Sequence, residues 1–119
     1  MTTPACVAKQ VIVLEPNGRL TAETIHVFDQ VVARRLREGC HGLILDLQHV
    51  DYLDSAGIGA LAQTYMLGRR QGARVVFVHV FGKNRELLKI TKLLTVFEVY
   101  DTTTEARRSF PVPAGWVSV

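Results

Sequence analysis

Residues Leu43 to Ala62 read LILDLQHVDYLDSAGIGALA, and the fold is decided there. The apolar run Leu43-Ile44-Leu45-Asp46-Leu47 has the near-continuous character of a strand covered on both faces of a sheet. A polar turn leads to Asp54-Ser55-Ala56-Gly57, and a helical pattern starts at once. A serine hydroxyl therefore stands at the positive end of a helix, beyond the carboxyl end of a buried strand. The first N–H groups of a helix lack intrahelical partners and favour an oxygen acceptor or an anion. A phosphate on Ser55 would find partners there and would change the local charge sharply. The plain reading stands beside it: Asp and Ser are preferred N-caps, and the hydroxyl serves only to satisfy a backbone N–H. Gly57 and Gly59 each cost helix stability, about 1 kcal/mol relative to Ala. Small residues in a first turn suit a place where another surface approaches the backbone closely.

Outward from this stretch the chain alternates strands and helices. Val7 to Leu14 reads as a strand, and Pro16-Asn17-Gly18 as a turn. Arg19-Leu20 reads as a short strand pairing back in a hairpin, which adds an antiparallel edge. Thr21 suits the N-cap of a helix to about Glu38, with Ile25, Phe28, Val31, Val32 and Leu36 on its buried face. Gly39 closes it, and Gly42 to Leu47 follows as a strand. The second helix spans Ala56 to Gln71 and ends at Gly72. Arg74 to Phe81 is the most β-like run in the chain. A third helix runs from about Asn84 to Leu94, with Leu87, Leu88, Ile90 and Leu94 inward. Val96 to Tyr100 is a last strand, and Asp101 or Thr102 caps a helix to about Ser109. Successive strand-helix units imply parallel strands joined by crossovers. The fold class is α/β: one domain over residues 1–110, with a mixed, mostly parallel sheet of four to five strands and about four helices. Residues 111–119, with two prolines and Trp116, read as an irregular tail.

Composition narrows the function classes. A chain of 119 residues suits one domain that buries roughly two-thirds of its unfolded surface, without disulfide or metal. The net charge of +3 is small and its basic residues are spread out, unlike a nucleic-acid footprint. Cys6 and Cys40 make no redox or metal motif. No signal pattern opens the chain, and no apolar run approaches the ~18 residues of a membrane span. The expected location is the cytoplasm, and no cofactor or metal set is indicated.

Other motifs are weaker. Gly57-Ile58-Gly59-Ala60-Leu61-Ala62 fits the dinucleotide pattern G-x-G-x-x-A, but it does not follow a strand directly and no carboxylate ends the next strand. Ser55 is not in G-x-S-x-G, and His26, His41, His49 and His79 fall in a helix, a turn, a loop and a strand, none placed as a base. Asp46, Asp51 and Asp54 read as a solvated acidic rim. Arg69 and Arg70 complement a helix dipole.

With these elements in place the chain resembles the STAS domain, and among STAS domains the bacterial anti-sigma factor antagonists. The resemblance covers about Val11 to Ala106. It rests on Gly18-Arg19-Leu20, Leu43 to Leu47, Tyr52-Leu53-Asp54-Ser55-Ala56-Gly57-Ile58-Gly59, Leu87 to Leu94 and Phe97-Glu98-Val99-Tyr100. It implies a non-enzymatic partner of an anti-sigma serine kinase, which it binds unphosphorylated so that a sigma factor is released. It implies phosphorylation of Ser55 by that kinase, reset by a serine phosphatase, with Gly18, Leu20, Thr21, Asp54, Ala56 and Gly57 as contact neighbourhood. Direct nucleic-acid binding is not expected, and the protein is expected as a monomer or weak dimer. Two departures stand out: Thr21 occupies a position that is acidic in many antagonists, and Lys92 one that is often Gly at a helix end. The alternatives are a non-switching STAS subunit of a larger signalling or lipid-transport assembly, and a nucleotide-binding domain.

Overall fold

Every position of β3 (Gly42–Asp46) is buried, as an uninterrupted apolar run requires. The computed structural model describes residues 11–110; the expected start of the first strand at Val7, Cys6 and the 111–119 tail lie outside them. β3 is central in a four-stranded parallel sheet, order β1-β3-β5-β6. Beside it lie β1 (Val11–Leu14) and β5 (Arg74–Val78), and β6 (Glu98–Tyr100) pairs with the far side of β5. In register, Leu43 lies beside Val75 and Leu45 beside Phe77. Side chains alternate across the sheet, as strand geometry dictates. Leu43, Leu45, Val75 and Phe77 share a core with α1 (Ile25–Arg37), α2 (Ser55–Arg70) and α3 (Gly82–Ile90). Ile44, Val76 and Val78 pack on the other face with Ala106 of α4 (Thr103–Arg108) and Phe110. The Phe77 and Phe97 rings stack at 4.3 Å, and Tyr65 of α2 sits 5.4 Å from Phe97.

The opening hairpin is corrected. β2 (Gly18–Leu20) does not turn back on β1; it pairs in parallel with β4 (Val50–Leu53) as a separate two-stranded sheet. The Gly18 N–H donates to the His49 carbonyl at 2.8 Å, with Gly18 at φ +79°, and Leu20 lies beside Leu53. The four-stranded sheet thus has no antiparallel edge among the described residues. β4 was hidden because only Val50 and Leu53 are buried while Asp51 and Tyr52 face water, a pattern without the period of two that marks a strand.

Helix boundaries shift for local reasons. The chain turns at Thr21, whose carbonyl accepts the N–H groups of Thr24 and Ile25, but regular helix begins only at Ile25, with Thr24 in the cap position. Ile90 is 72% exposed rather than inward, because α3 ends there and the chain passes through Lys92 into a short 3-10 turn, Leu93–Thr95. Val31 is also on the surface. The last helix is capped as expected: the Thr102 hydroxyl accepts the Glu105 N–H at 3.1 Å. Asp46 is not part of a solvated rim. It is 3% exposed, accepts the Gln48 N–H, and lies 2.8 Å from His79 Nδ1; His79 follows β5 at φ +55°. None of the described helices is long and apolar enough to cross a membrane.

Lys92 holds φ +66°, a left-handed conformation that costs a side-chain-bearing residue about 1–2 kcal/mol. Replacement by glycine removes that strain and returns part of it as unfolded-chain entropy. Lys92→Gly is expected to raise the unfolding free energy by about 0.5–1 kcal/mol, measured by urea denaturation.

Candidate functional site

The β2–β4 pair places two segments that are distant in sequence side by side at the start of α2. Leu20 ends β2, and its carbonyl accepts the Asp54 N–H at 3.4 Å. The same carbonyl lies over the first turn of α2, where a Cβ built on Gly57 would run into Leu20 O and then into the Leu53 side chain. Gly57 is therefore required by the fold itself. The close approach inferred from its sequence is made by the protein's own backbone.

Asp54 is the N-cap of α2, and the Ser55 hydroxyl is not. One carboxylate oxygen of Asp54 accepts the Gly57 N–H at 2.9 Å, and the other accepts the Ala22 N–H at 3.1 Å. One side chain thus caps α2 and ties the segment before α1 to it. The hydrogen bond from Gly57, with others from Ala22 and Ala56, holds the Asp54 carboxyl below the usual aspartate range. Next to it Ser55, the first residue of α2, is exposed, and its hydroxyl has no hydrogen-bond partner among the described residues. The cap's work is done by its neighbour, so the hydroxyl is not needed to cap α2. Ala56 is half-buried beside it.

The remaining expected contact residues divide by depth. Leu20 and Thr21 are 4% and 5% exposed, and Gly57 is buried. They form the support under the surface. Thr21 donates its N–H to the Thr24 hydroxyl, which in turn donates to the Arg19 carbonyl, while Thr21 Oγ1 is buried without a partner among the described residues. Gly18 is half-buried and Arg19 exposed. Gly59 differs from Gly57: it is exposed, and a Cβ there would meet nothing within 4 Å. Sequence reasoning missed the Ala22 tether, which joins a backbone group to a side chain 32 residues away, and the exposed Tyr52, over whose ring the Arg19 guanidinium sits at 4.6 Å. Among the described residues no cluster of His, Cys, Asp and Glu is arranged to hold a metal ion.

The STAS domain family matches residues 4–106. The chain belongs to that family. Among solved structures, a candidate anti-sigma factor antagonist from Thermotoga maritima superposes with a TM-score of 0.76 at 26% identity, covering 86% of this chain and 88% of its own. An anti-sigma factor antagonist from Mycobacterium paratuberculosis gives 0.69 at 28% identity, over 82% and 84%. The anti-sigma F factor antagonist of Paenibacillus polymyxa is 25% identical over 93 residues, 74% of this chain and 80% of that protein. Within this STAS architecture Ser55 stands open to solvent at the start of α2.

The two glycines make opposite predictions. Gly57→Ala forces a methyl group against the Leu20 carbonyl and is expected to cost about 1–3 kcal/mol. Gly59→Ala meets open space and is expected to stabilise by up to about 1 kcal/mol; paired chemical denaturation curves measure both. Asp54 adds a pH signature. Its folded pKa is depressed, so its contribution is present above the unfolded aspartate value of about 3.9 and is lost as pH falls through the lower folded value. The stability difference between wild type and Asp54→Asn is expected to be full at neutral pH, to shrink below about pH 4, and to vanish in stronger acid, as read by urea midpoints across pH.

Proposed function

We propose that this STAS domain is an anti-sigma factor antagonist that binds an anti-sigma serine kinase in its unphosphorylated form, so releasing a sigma factor. Phosphorylation of Ser55 by that kinase ends the binding, and a serine phosphatase restores it. In this reading the protein is a cytoplasmic binding module and kinase substrate, not an enzyme. The observation that carries it is the division of labour at the start of α2: Asp54 caps the helix, and Ser55 beside it is exposed with a hydroxyl that bonds to none of the described residues. The family membership and the antagonist relatives support the same role.

The mechanism needs little movement. A kinase must bring the γ-phosphorus of ATP in line with the attacking hydroxyl. A hydroxyl at the tip of a helix, with the small Ala56 beside it and Gly59 one turn on, leaves room for that approach. The transfer breaks the bond from the γ-phosphorus to its bridging oxygen, forms the bond to Ser55 Oγ, and passes the hydroxyl proton to a kinase base. The product carries about −1.5 to −2 charges at the end of a helix whose dipole favours negative charge, so the fold tolerates it. The complex does not: that charge lies next to the ionised Asp54, and burying both against a partner costs desolvation and repulsion. A loss of ~3 kcal/mol weakens binding more than a hundredfold.

A variant set tests the proposal by calorimetric titration of the purified anti-sigma serine kinase of the source organism. Ser55→Ala is expected to bind about as tightly as unmodified protein and to take up no phosphate from labelled ATP. Ser55→Asp is expected to bind at least about a hundredfold more weakly. Equal affinities for the two variants would overturn the switch and leave the non-switching STAS subunit as the reading.

A further inference from the structure

A groove of about 800 Å³ opens between the β1–β2 turn and α1. Its walls include Leu14, Pro16, Val27, Phe28 and Val31, with Asp51 at its edge. Val27 and Val31 stand one turn apart on α1 and are 56% and 36% exposed. An amphipathic helix places such residues inward, yet here they face water, and their spacing puts them on one line along the helix. The groove shares residues with the segment that packs on the start of α2. Gly18, Leu20 and Thr24 line it, the Leu20 carbonyl rests on α2 at Gly57, and Asp54 bonds to Ala22 between them.

Charge says what suits this groove. The chain as a whole carries +3, but Glu15 and Asp51 line the groove, and Asp54 stands next to Ser55 at the start of α2. Arg19 also lines the groove, with its guanidinium laid over the Tyr52 ring. A serine kinase that acts on Ser55 must hold the ATP polyphosphate with cationic groups around its active site, and such a surface is complementary to the Glu15 and Asp51 carboxylates and to Asp54.

We propose that the groove is a second anchoring site for the kinase: it receives an apolar side chain of that partner, flanked by Lys or Arg, while Ser55 enters the kinase active site. The inference rests on the kinase reading of Ser55. The groove supplies affinity that is independent of the phosphorylation state, and the Ser55 surface supplies the switch. Buried apolar anchors of this kind dominate interface energetics, and truncating or charging one weakens binding by roughly tenfold or more.

Calorimetric titration of the purified kinase against the double variant Val27→Asp/Val31→Asp, against Glu15→Lys/Asp51→Lys, and against Ser55→Asp tests it. Both apolar positions are on the surface, so the double variant is expected to keep the wild-type circular dichroism spectrum and unfolding midpoint. It is expected to bind the kinase roughly tenfold or more weakly and to be phosphorylated with a raised KM and an unchanged kcat. The charge-reversed variant is expected to lose association rate and its salt dependence. Should Ser55→Asp weaken binding while the valine variant binds like wild type, the groove inference is overturned and the switch stands. Should Ser55→Asp bind like Ser55→Ala, the switch itself falls. A valine variant with unchanged kinase affinity that abolishes self-association in sedimentation assigns the groove to a second copy. One whose unfolding midpoint drops to that of protein lacking residues 1–10 assigns it to the chain's own start. Either result also overturns the inference.

Discussion

The close approach of the Leu20 carbonyl to the first turn of α2 is the constraint on which the rest of the site depends. It exists because β2 pairs with β4 rather than with β1, and it is possible only because residue 57 has no side chain. Bringing a carbonyl oxygen toward a helix start is electrostatically natural, since unpaired N–H groups and the positive end of the dipole lie there. Asp54 completes the junction by bonding to both segments. Together they make the start of α2 a preassembled platform, on which the next residue's hydroxyl is left over.

That surplus is what turns an ordinary cap into a candidate switch. In the simplest helix start, one Ser or Asp accepts an N–H and has no further role. Here the acid takes the cap and the serine is displaced to the first helical position, exposed and unengaged among the described residues. The two groups then work together: a fixed negative charge stands next to a site where a larger one can be added. In the proposed switch the helix tolerates the added charge in isolation, and a closely packed complex does not. Switching binding in this way takes no rearrangement of the sheet, whose central strand is sealed on both faces.

The legible part of the fold was the part with a strong period. β3 and β5 carry the apolar runs Leu43–Leu45 and Val75–Val78, and α1 and α2 carry three- and four-residue spacing, so their existence and the parallel layering followed from the sequence. β4 did not, because Val50-Asp51-Tyr52-Leu53 belongs to a two-stranded sheet with an in-out-out-in burial, which reads as a turn. Losing β4 misdirected β2 into a hairpin. At the site, Ser55 was legible because Asp-Ser-small-Gly between a strand and a helix is a local signal. The roles of Gly57 and Asp54 were not, since both depend on residues 20–22, which tertiary pairing brings near. The same holds for Asp46, which read as a surface acid until the turn after β5 placed His79 against it. The left-handed Lys92 was visible only as a departure from a glycine position in the family resemblance.

The central claim is that the platform is rigid and that phosphate on Ser55 alters its surface without altering the fold. Amide chemical-shift mapping of the protein with phosphoserine incorporated at position 55, compared with the unmodified protein, tests this most directly. Shifts confined to residues 20–24 and 52–60, with unchanged amides through β3 and β5, are the predicted result. Shifts spread across the four-stranded sheet and α4 would contradict it, because the added charge would then act by reorganising the domain rather than by standing at its edge.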